Sequence, residues 1–179
     1  MFLILGLGNP GPRYELTRHN AGFWVADNLA EKYNIRLDKH KHFSLYGQGE
    51  IAGQEVVIAK PMTYMNESGK AVKTLLSAFG LLPDKMLVVH DDIDLPLGKI
   101  KKKIKGGDGG QRGIRSTIQS LRTGEFYRVR VGIGRPDDKE DIVDYVLSPF
   151  GAEDSGLLND VIEQAVQTVE EALKELDRS

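Results

Sequence analysis

Two segments of the sequence contain histidines whose neighbours could support general acid–base chemistry. His19 lies between a loop and a predicted helix, and an ordinary imidazole titrates near pH ~6.5, so it can act as a base at cellular pH. The run His90-Asp91-Asp92-Ile93-Asp94 ends an apolar segment typical of a buried strand. Because active sites of α/β proteins gather at strand ends, Asp91 could orient His19 through a hydrogen bond.

Other interpretations of these residues stay open. A single histidine is more often structural than catalytic, and Asp92 and Asp94 could belong to an acidic surface turn. His90 and the three aspartates could also hold a metal, although their spacing matches no specific metal template. The sequence has no cysteine and no Gly-x-Ser-x-Gly motif, which leaves water activated by a histidine as the route to hydrolysis.

The first glycine motif has the spacing of a dinucleotide-binding fingerprint, Gly6-x-Gly8-x-x-Gly11. Pro10 and Pro12 hold this segment as a loop, so the helix that would bind a pyrophosphate cannot begin there. The motif therefore gives little support to a nucleotide-dependent oxidoreductase, and a tight turn explains its glycines. It leaves Asn9 as a polar residue at the end of a strand.

A second amide follows another strand. Asn66 could hold a carbonyl group or a water molecule, or it could cap the next helix. Tyr64 and Met65 beside it offer apolar surface either to a ligand or to the core.

Charge is distributed unevenly along the chain, although the net charge is −2. Residues 99–135 hold 11 Lys and Arg against 2 Asp and Glu, whereas residues 136–179 hold 3 against 13. Strand alternation places Lys99, Lys101, Lys103 and Lys105 on one face and Ile100, Lys102 and Ile104 on the other. This basic block favours a phosphate-rich partner. In the alternative interpretation, the acidic segment 136–179 neutralises the block within the fold.

The elements that must position these residues form an α/β pattern. Strands alternate with helices, a hairpin is inserted at 43–60, and an amphipathic helix is predicted at about 153–176. We expect an α/β fold made of a single domain, residues 1–179, with a twisted mixed β-sheet flanked by helices. The N-terminal apolar run is too short for a membrane span and lacks the basic region of a signal peptide, so we expect a cytoplasmic protein without a membrane partner.

Taken together, these motifs resemble those of the bacterial peptidyl-tRNA hydrolase family. The resemblance runs in the family's order from residue 3 to about residue 147. The matching segments are Gly6–Gly11, Tyr14, Thr17–Gly22, Lys60-Pro61 through Asn66-Ser68-Gly69, His90-Asp91 with Asp94-Leu95-Pro96, the glycine-rich loop 106–113 and Arg130–Gly134.

The resemblance implies a monomeric, metal-independent esterase that uses no cofactor. Its expected reaction cleaves the ester between a peptide's C-terminus and the 3′-terminal ribose of tRNA, which recycles peptidyl-tRNA dropped from ribosomes. His19 would activate water, Asp91 would orient it, and Asn9 and Asn66 would position the carbonyl and the water. Asn66 would also be a candidate for stabilising the oxyanion.

The resemblance also implies substrate-binding residues. Tyr14, Tyr64 and Met65 would line the cleft. A set of basic residues would bind the acceptor stem and 3′ end of tRNA: Lys103, Lys105 and Arg130.

The glycine-rich loop departs from the family pattern. Most members close this loop with His-Asn-Gly, where the sequence has Gln111-Arg112-Gly113. Arginine has no acceptor, so the substrate contact of the asparagine does not transfer to Arg112, which we expect to bind a phosphate or an acidic partner over the cleft. A non-catalytic RNA-binding relative is the alternative, and the retention of the four catalytic candidates weighs against it.

Overall fold

The structure is a computed structural model that describes residues 1–137, 141–151 and 155–178. The strands within these residues are β1 (Phe2–Gly6), β2 (Lys39–Lys41), β3 (Ser44–Ile51), β4 (Gln54–Pro61), β5 (Met86–Asp92), β6 (Ile100–Lys103) and β7 (Tyr127–Gly132). The α-helices are α1 (Ala21–Lys32), α2 (Ser68–Phe79), α3 (Arg112–Leu121), α4 (Ile142–Val146) and α5 (Ser155–Arg178). Short 3₁₀ helices cover Arg18–Asn20, Met65–Glu67 and Pro83–Lys85.

All the strands belong to one mixed sheet with the order β2-β3-β4-β1-β5-β7-β6. The four central strands β4, β1, β5 and β7 run parallel, and β2, β3 and β6 join them in antiparallel pairs. The carboxyl ends of the parallel strands therefore meet at one edge of the sheet, which we call the catalytic edge because the candidate catalytic residues Asn9 and Asp91 lie there. The turn between β2 and β3 lies at the same edge, because Ser44 of β3 pairs with Pro61 at the end of β4.

Helices cover both faces of the sheet, as the sequence predicts. Alternate residues of β1 divide between the two layers: Phe2 and Ile4 pack with α1 and α5, whereas Leu3 and Leu5 pack with α2 and α3. Burial on both faces explains why the central strands are continuous apolar runs. The central strands are thereby held between two apolar layers, and this rigid base supports the loops of the catalytic edge.

The helix and hairpin predictions are confirmed. The hairpin is β3 and β4, joined at Gly53, and α2 ends at Gly80 in the left-handed conformation (φ 64°) that favours glycine at a helix C-terminus. The predicted apolar stripe of the terminal helix is buried at Val161, Ala165 and Val169. Its predicted start at about residue 153 lies outside the described residues. No helix in the described part of the chain is long and apolar enough to span a membrane.

The predicted strand over residues 99–105 is too long. β6 ends at Lys103, and Ile104 is 70% exposed instead of sharing a buried face with Ile100. The chain turns because the N–H of Gly106 donates to the Gly124 carbonyl and the buried Arg128 guanidinium draws in the carbonyls of Gly106 and Gly107. Lys105 therefore lies in the loop beyond the strand.

Candidate active site

A cleft of about 450 Å³ opens at the catalytic edge, between the loop after β1, the 3₁₀ segment before α2, the glycine-rich loop and α4. One wall is apolar, since α4 presents Ile142 and Val143. The sequence-predicted residues that line the cleft are Asn9, Tyr14, His19, Tyr64, Met65, Asn66, Asp91 and Arg112.

His19 and Asp91 form a buried pair at the floor of the cleft. The His19 Nδ1 and Asp91 Oδ2 atoms are 2.7 Å apart, and both residues are at least 94% buried. A carboxylate can only accept, so Nδ1 carries the proton of this hydrogen bond. The Nε2 atom of His19 is then unprotonated in the neutral ring and can accept a proton from a molecule in the cleft.

Close packing of α1 against β1 places His19 at this point. The 3₁₀ turn that contains His19 runs directly into α1, and two glycines let the helix approach the sheet. A Cβ atom on Gly6 would lie 2.2 Å from the Gly22 carbonyl oxygen, and one on Gly22 would lie 2.5 Å from the Leu7 nitrogen. A side chain at either glycine would clash with this packing of α1 against the sheet, and His19 lies in the turn that leads into α1.

Asn9 is held by three hydrogen bonds that leave its amide NH₂ group for the cleft. Its backbone N–H donates to Asn20 Oδ1 (2.8 Å), and its carbonyl accepts from Asn20 Nδ2 (3.0 Å). Its Oδ1 atom accepts from the backbone N–H of Met65 at 2.6 Å, which fixes the orientation of the amide. Its Nδ2 atom donates to no described residue, so it is available to a carbonyl oxygen in the cleft.

Asn66 does not cap a helix, so that alternative interpretation is wrong. It lies within the 3₁₀ turn Met65–Glu67, and the residue preceding α2 is Glu67, which makes no side-chain cap. The Asn66 side chain is exposed at the cleft and makes no hydrogen bond with the described residues. Its amide is free to bind a carbonyl oxygen or a water molecule.

Gln111 is one of two residues of the site to which the sequence predictions give no role. Its Nε2 atom donates to Asp91 Oδ1 at 3.0 Å, while its Oε1 atom accepts from the Ile114 backbone N–H at 2.8 Å. One side chain thus caps α3 and holds the oxygen of Asp91 that His19 leaves unoccupied. Its place directly before the helix is the signal that could have indicated this capping role.

Arg18 is a second residue without a predicted role, and it fastens the segment after α4 beside His19. Its guanidinium lies 4.4 Å from the Tyr145 ring centroid and 5.0 Å from that of Phe150, and it donates to Ser148 Oγ and to the Pro149 carbonyl. The apolar α4 wall is therefore anchored to the segment that carries His19. Sequence patterns gave no signal for this contact, because the partners are about 130 residues apart.

The predicted tRNA-binding residues Lys103, Lys105 and Arg130 lie outside the cleft, near the β6 edge of the sheet. Arg130 donates from Nε to Asp92 Oδ2 at 2.7 Å. Arg128 shares its strand but is buried, and it donates to the carbonyls of Gly106, Gly107 and Gly124. Burial lowers the pKa of the Arg128 guanidinium.

The acidic helix neutralises part of the basic block, as one sequence interpretation predicts. Lys102 donates to Glu175 of α5 at 2.5 Å, and this hydrogen bond raises the pKa of Lys102. Carboxylates outside this helix pair with two more cations of the block, Asp108 with Arg115 and Asp94 with Arg135. Besides the buried Arg128, the cations of the block that make no ion pair with the described residues are Lys99, Lys101, Lys103, Lys105, Arg112 and Arg122.

The metal alternative is not supported by the arrangement of its residues. His90 is fully buried behind the cleft, where its Nδ1 lies 2.8 Å from the Asp91 carbonyl, and burial lowers its pKa. Asp92 and Asp94 turn toward arginines rather than toward His90. Among the described residues, no three His, Asp or Glu side chains come together in a group that could hold a metal ion.

The chain matches a known family over almost its whole length. Residues 3–179 match the family model described as Peptidyl-tRNA hydrolase. A peptidyl-tRNA hydrolase of Aquifex aeolicus is 48% identical over 172 residues, which cover 96% of this chain and 90% of the relative. One of Bacillus subtilis is 45% identical over 173 residues, covering 97% and 92%.

Solved structures show the same similarity. A crystal structure of a peptidyl-tRNA hydrolase in complex with n-propanol superposes with a TM-score of 0.92 at 37% identity, covering 99% of this chain and 91% of the other. The Arg119Gln mutant of the enzyme from Acinetobacter baumannii gives the same TM-score, identity and coverage. The fold expected from the sequence is thereby confirmed.

Proposed function

The chain belongs to the peptidyl-tRNA hydrolase family, and we propose that its His19–Asp91 cleft carries out the hydrolysis of peptidyl-tRNA that this membership implies. The ester bond between the peptide C-terminus and the 3′-terminal ribose is cleaved, which releases free tRNA and peptide. The observation that carries the assignment of the site is the 2.7 Å pair between His19 Nδ1 and Asp91 Oδ2, with Nε2 available to the cleft.

His19 acts as the general base. Its Nε2 takes a proton from a water molecule, whose oxygen forms the new bond to the ester carbonyl carbon. The ring then carries a positive charge, which the buried Asp91 carboxylate stabilises. When the tetrahedral intermediate collapses, the bond to the ribose oxygen breaks and His19 returns the proton to that oxygen.

The two amides stabilise the charge that develops on the carbonyl oxygen. Asn9 has a fixed NH₂ group at the cleft, because its Oδ1 is held by Met65. Asn66, next to Met65, has an exposed amide that makes no hydrogen bond with the described residues. A donor fixed before the reaction stabilises an oxyanion without reorganisation, so we assign this role first to Asn9 and give Asn66 a share in placing the carbonyl and the water.

Other cleft residues bind the parts of the substrate that flank the ester. Tyr14 and Tyr64 pack edge to face with ring centroids 6.2 Å apart, and with Met65 they form an apolar surface for the substrate. Arg112 is exposed at the mouth and has no acidic partner among the described residues. Because no acidic side chain among these residues pairs with Arg112, we favour a phosphate near the tRNA 3′ end as its partner.

The acceptor stem lies along the β6 edge of the sheet. Lys103 and Lys105 make no ion pair with the described residues, so their charges are available to phosphates. Arg130 uses Nε for Asp92 and keeps other donors for a phosphate. Peptidyl-tRNA is the only partner that these contacts require, and we propose that the protein works as a cytoplasmic monomer.

Comparing N-acetyl-aminoacyl-tRNA with unblocked aminoacyl-tRNA as substrates tests this function. We expect release of free tRNA from the blocked substrate and little from the unblocked one, because the blocked ester resembles a peptide. No release from either substrate would contradict the proposal. Equal release from both would show a general aminoacyl-ester hydrolase instead.

A further inference from the structure

A basic and aromatic surface lies at the catalytic edge near β2 and β3, at the opposite end of the strand order from β6. We call it the hairpin patch and define it as Lys39, Lys41, Phe43, Met62 and Lys70. The mechanism above uses none of these residues. Their side chains come from β2, the β2–β3 turn, the end of β4 and the first turn of α2.

The lysines of the hairpin patch have no acidic partner in the part of the chain that the structure describes. Lys39 pairs in register with Tyr46, whose side chain packs among residues of α2, so Lys39 and, by alternation, Lys41 face the α2 side of the sheet. The Lys39 ammonium lies over the Tyr46 ring, 5.8 Å from its centroid, and Lys70 of α2 lies over the Phe43 ring, 5.5 Å from its centroid. None of the three lysines makes an ion pair with the described residues, although Glu67 lies three residues before Lys70.

The patch also exposes apolar groups. Phe43 is 53% exposed and Met62 is 40% exposed. His42 and Phe43 form the two-residue β2–β3 turn with φ of 58° and 57°, the left-handed conformation in which such turns prefer Asn and Gly. The backbone thus adopts an unfavourable conformation that turns the Phe43 ring toward solvent, and conformations of this kind concentrate at functional sites.

The patch continues into the active-site cleft. The Met62 N–H donates to the Phe43 carbonyl at 2.7 Å, and Tyr64, two residues later, lines the cleft. Lys70 follows Asn66 by four residues, which is about 6 Å along a helix. An extended peptide advances about 3.3 Å per residue, so residues about three to five positions before the ester could reach the patch.

We propose that the hairpin patch is an extended subsite for the peptide part of the substrate and that it selects acidic and aromatic side chains. The proposal rests on the function assigned to the cleft. β2 and β6 form opposite edges of the sheet, so the tRNA body bound at β6 leaves the β2 side to the other half of the substrate. The Lys70 ammonium over the exposed Phe43 ring, the exposed Met62 and the two lysines of β2 complement carboxylates and aromatic rings.

The test uses N-acetyl-peptidyl-tRNAs that share one tRNA and the same last two residues. The third and fourth residues from the ester are both Glu in one substrate and both Lys in the other, and N-acetyl-aminoacyl-tRNA serves as a substrate too short to reach the patch. For the wild-type protein we expect kcat/KM to favour the Glu peptide by about two- to tenfold at low salt, from a few exposed charge pairs.

Two variants identify the surface responsible. Lys70→Glu should abolish or reverse the preference for the Glu peptide. Lys174→Glu makes the same change of charge on α5, across the sheet, and should leave the preference unchanged. Glycine suits the left-handed turn, so the Phe43→Gly variant should fold normally. It should lose the preference of the wild type for substrates with Phe rather than Ala at the third and fourth residues from the ester. Thermal melting of each variant confirms the fold.

The results that would overturn the proposal are distinct from failure of the enzyme. Equal kcat/KM of the wild type for the Glu and Lys peptides would overturn it. An equal loss for all substrates in Lys70→Glu, the short one included, would place tRNA on the patch instead. If the wild type leaves even the short substrate intact, the proposed function itself fails.

Discussion

The catalytic edge and the basic block of residues 99–135 both contain charged side chains, but the two regions use them differently. At the catalytic edge, Asp91 is buried and both of its oxygens are occupied, by His19 and by Gln111. In the basic block, most of the cations are exposed, and several are neutralised by carboxylates of the same chain, as Lys102 is by Glu175. One region fixes a single charge for chemistry, and the other spreads its charge over a surface.

The difference shows what a count of charges can and cannot predict. Arg128 contributes to the positive charge of the block, yet it is buried and holds three loop carbonyls. Lys103 contributes the same charge and has no acidic partner among the described residues. Neighbouring cations therefore differ in their partners: Arg128 stabilises the loop that carries Gln111, whereas Lys103 makes no ion pair and is available to the phosphates of our proposal.

The largest expected effect on the catalytic side comes from Asp91→Asn. The neutral amide keeps the shape of the side chain but no longer stabilises a protonated His19, and it can select the wrong tautomer. We expect kcat to fall by about 10³- to 10⁴-fold with little change in tRNA affinity. Single-turnover hydrolysis of N-acetyl-aminoacyl-tRNA measures the effect, and a fall of less than tenfold would refute the pairing role.

Arg128→Met tests whether the buried cation of the basic block is structural. Loss of the guanidinium removes the donor of the Gly106 and Gly107 carbonyls and one donor of the Gly124 carbonyl, and we expect the free energy of unfolding to fall by about 3 kcal/mol. Chemical denaturation gives this value. The comparison variant Arg130→Met should lose less stability and more tRNA affinity, and the opposite ranking would exchange the roles assigned to the two arginines.

Gln111→Leu tests the link between the glycine-rich loop and the catalytic pair. It removes the hydrogen bond to Asp91 and the cap of α3, so we expect kcat to fall about 10- to 100-fold with KM nearly unchanged. Gln111→Glu can keep the cap but places a like charge beside Asp91, and it should be at least as slow. If Gln111→Leu lowers the free energy of unfolding but leaves kcat unchanged, as loss of the cap alone would, Gln111 does not position Asp91.

The smallest effect is expected from single surface lysines. Lys103→Gln should reduce the slope of log KM against log salt by about one, since one phosphate contact is lost. Lys102→Gln is the matched control on the opposite face of β6, where the lysine is paired with Glu175, and it should leave the slope unchanged. A slope for Lys103→Gln equal to that of the wild type would show that Lys103 does not contact a tRNA phosphate.

Local patterns in the sequence predict much of the fold and of the site. The apolar runs of β1 and β5 and the stripe of α5 follow from periodicity, and the polar residues at strand ends follow from topology. Asp91 could therefore be paired with His19 before the structure was known, whereas the role of Asn9 in the same cleft came from the resemblance to the family.

Contacts between distant segments could not be predicted in this way. The Gln111–Asp91 hydrogen bond depends on where the glycine-rich loop folds back, and burial of Arg128 depends on carbonyls that only the folded loop presents. The end of β6 at Lys103 has the same origin, because alternation alone continues to Lys105. Each of these features is set by backbone hydrogen bonding in a loop that has no periodic pattern.

The central claim is that His19 activates water for attack on the ester. The most direct test compares wild type with His19→Ala, measuring both single-turnover hydrolysis of N-acetyl-aminoacyl-tRNA and binding of the intact substrate. We predict that His19→Ala loses turnover by at least about 10³-fold while the Kd for the substrate changes less than about threefold. Near-normal turnover in the variant would contradict the account, as would a loss of turnover explained entirely by lost binding.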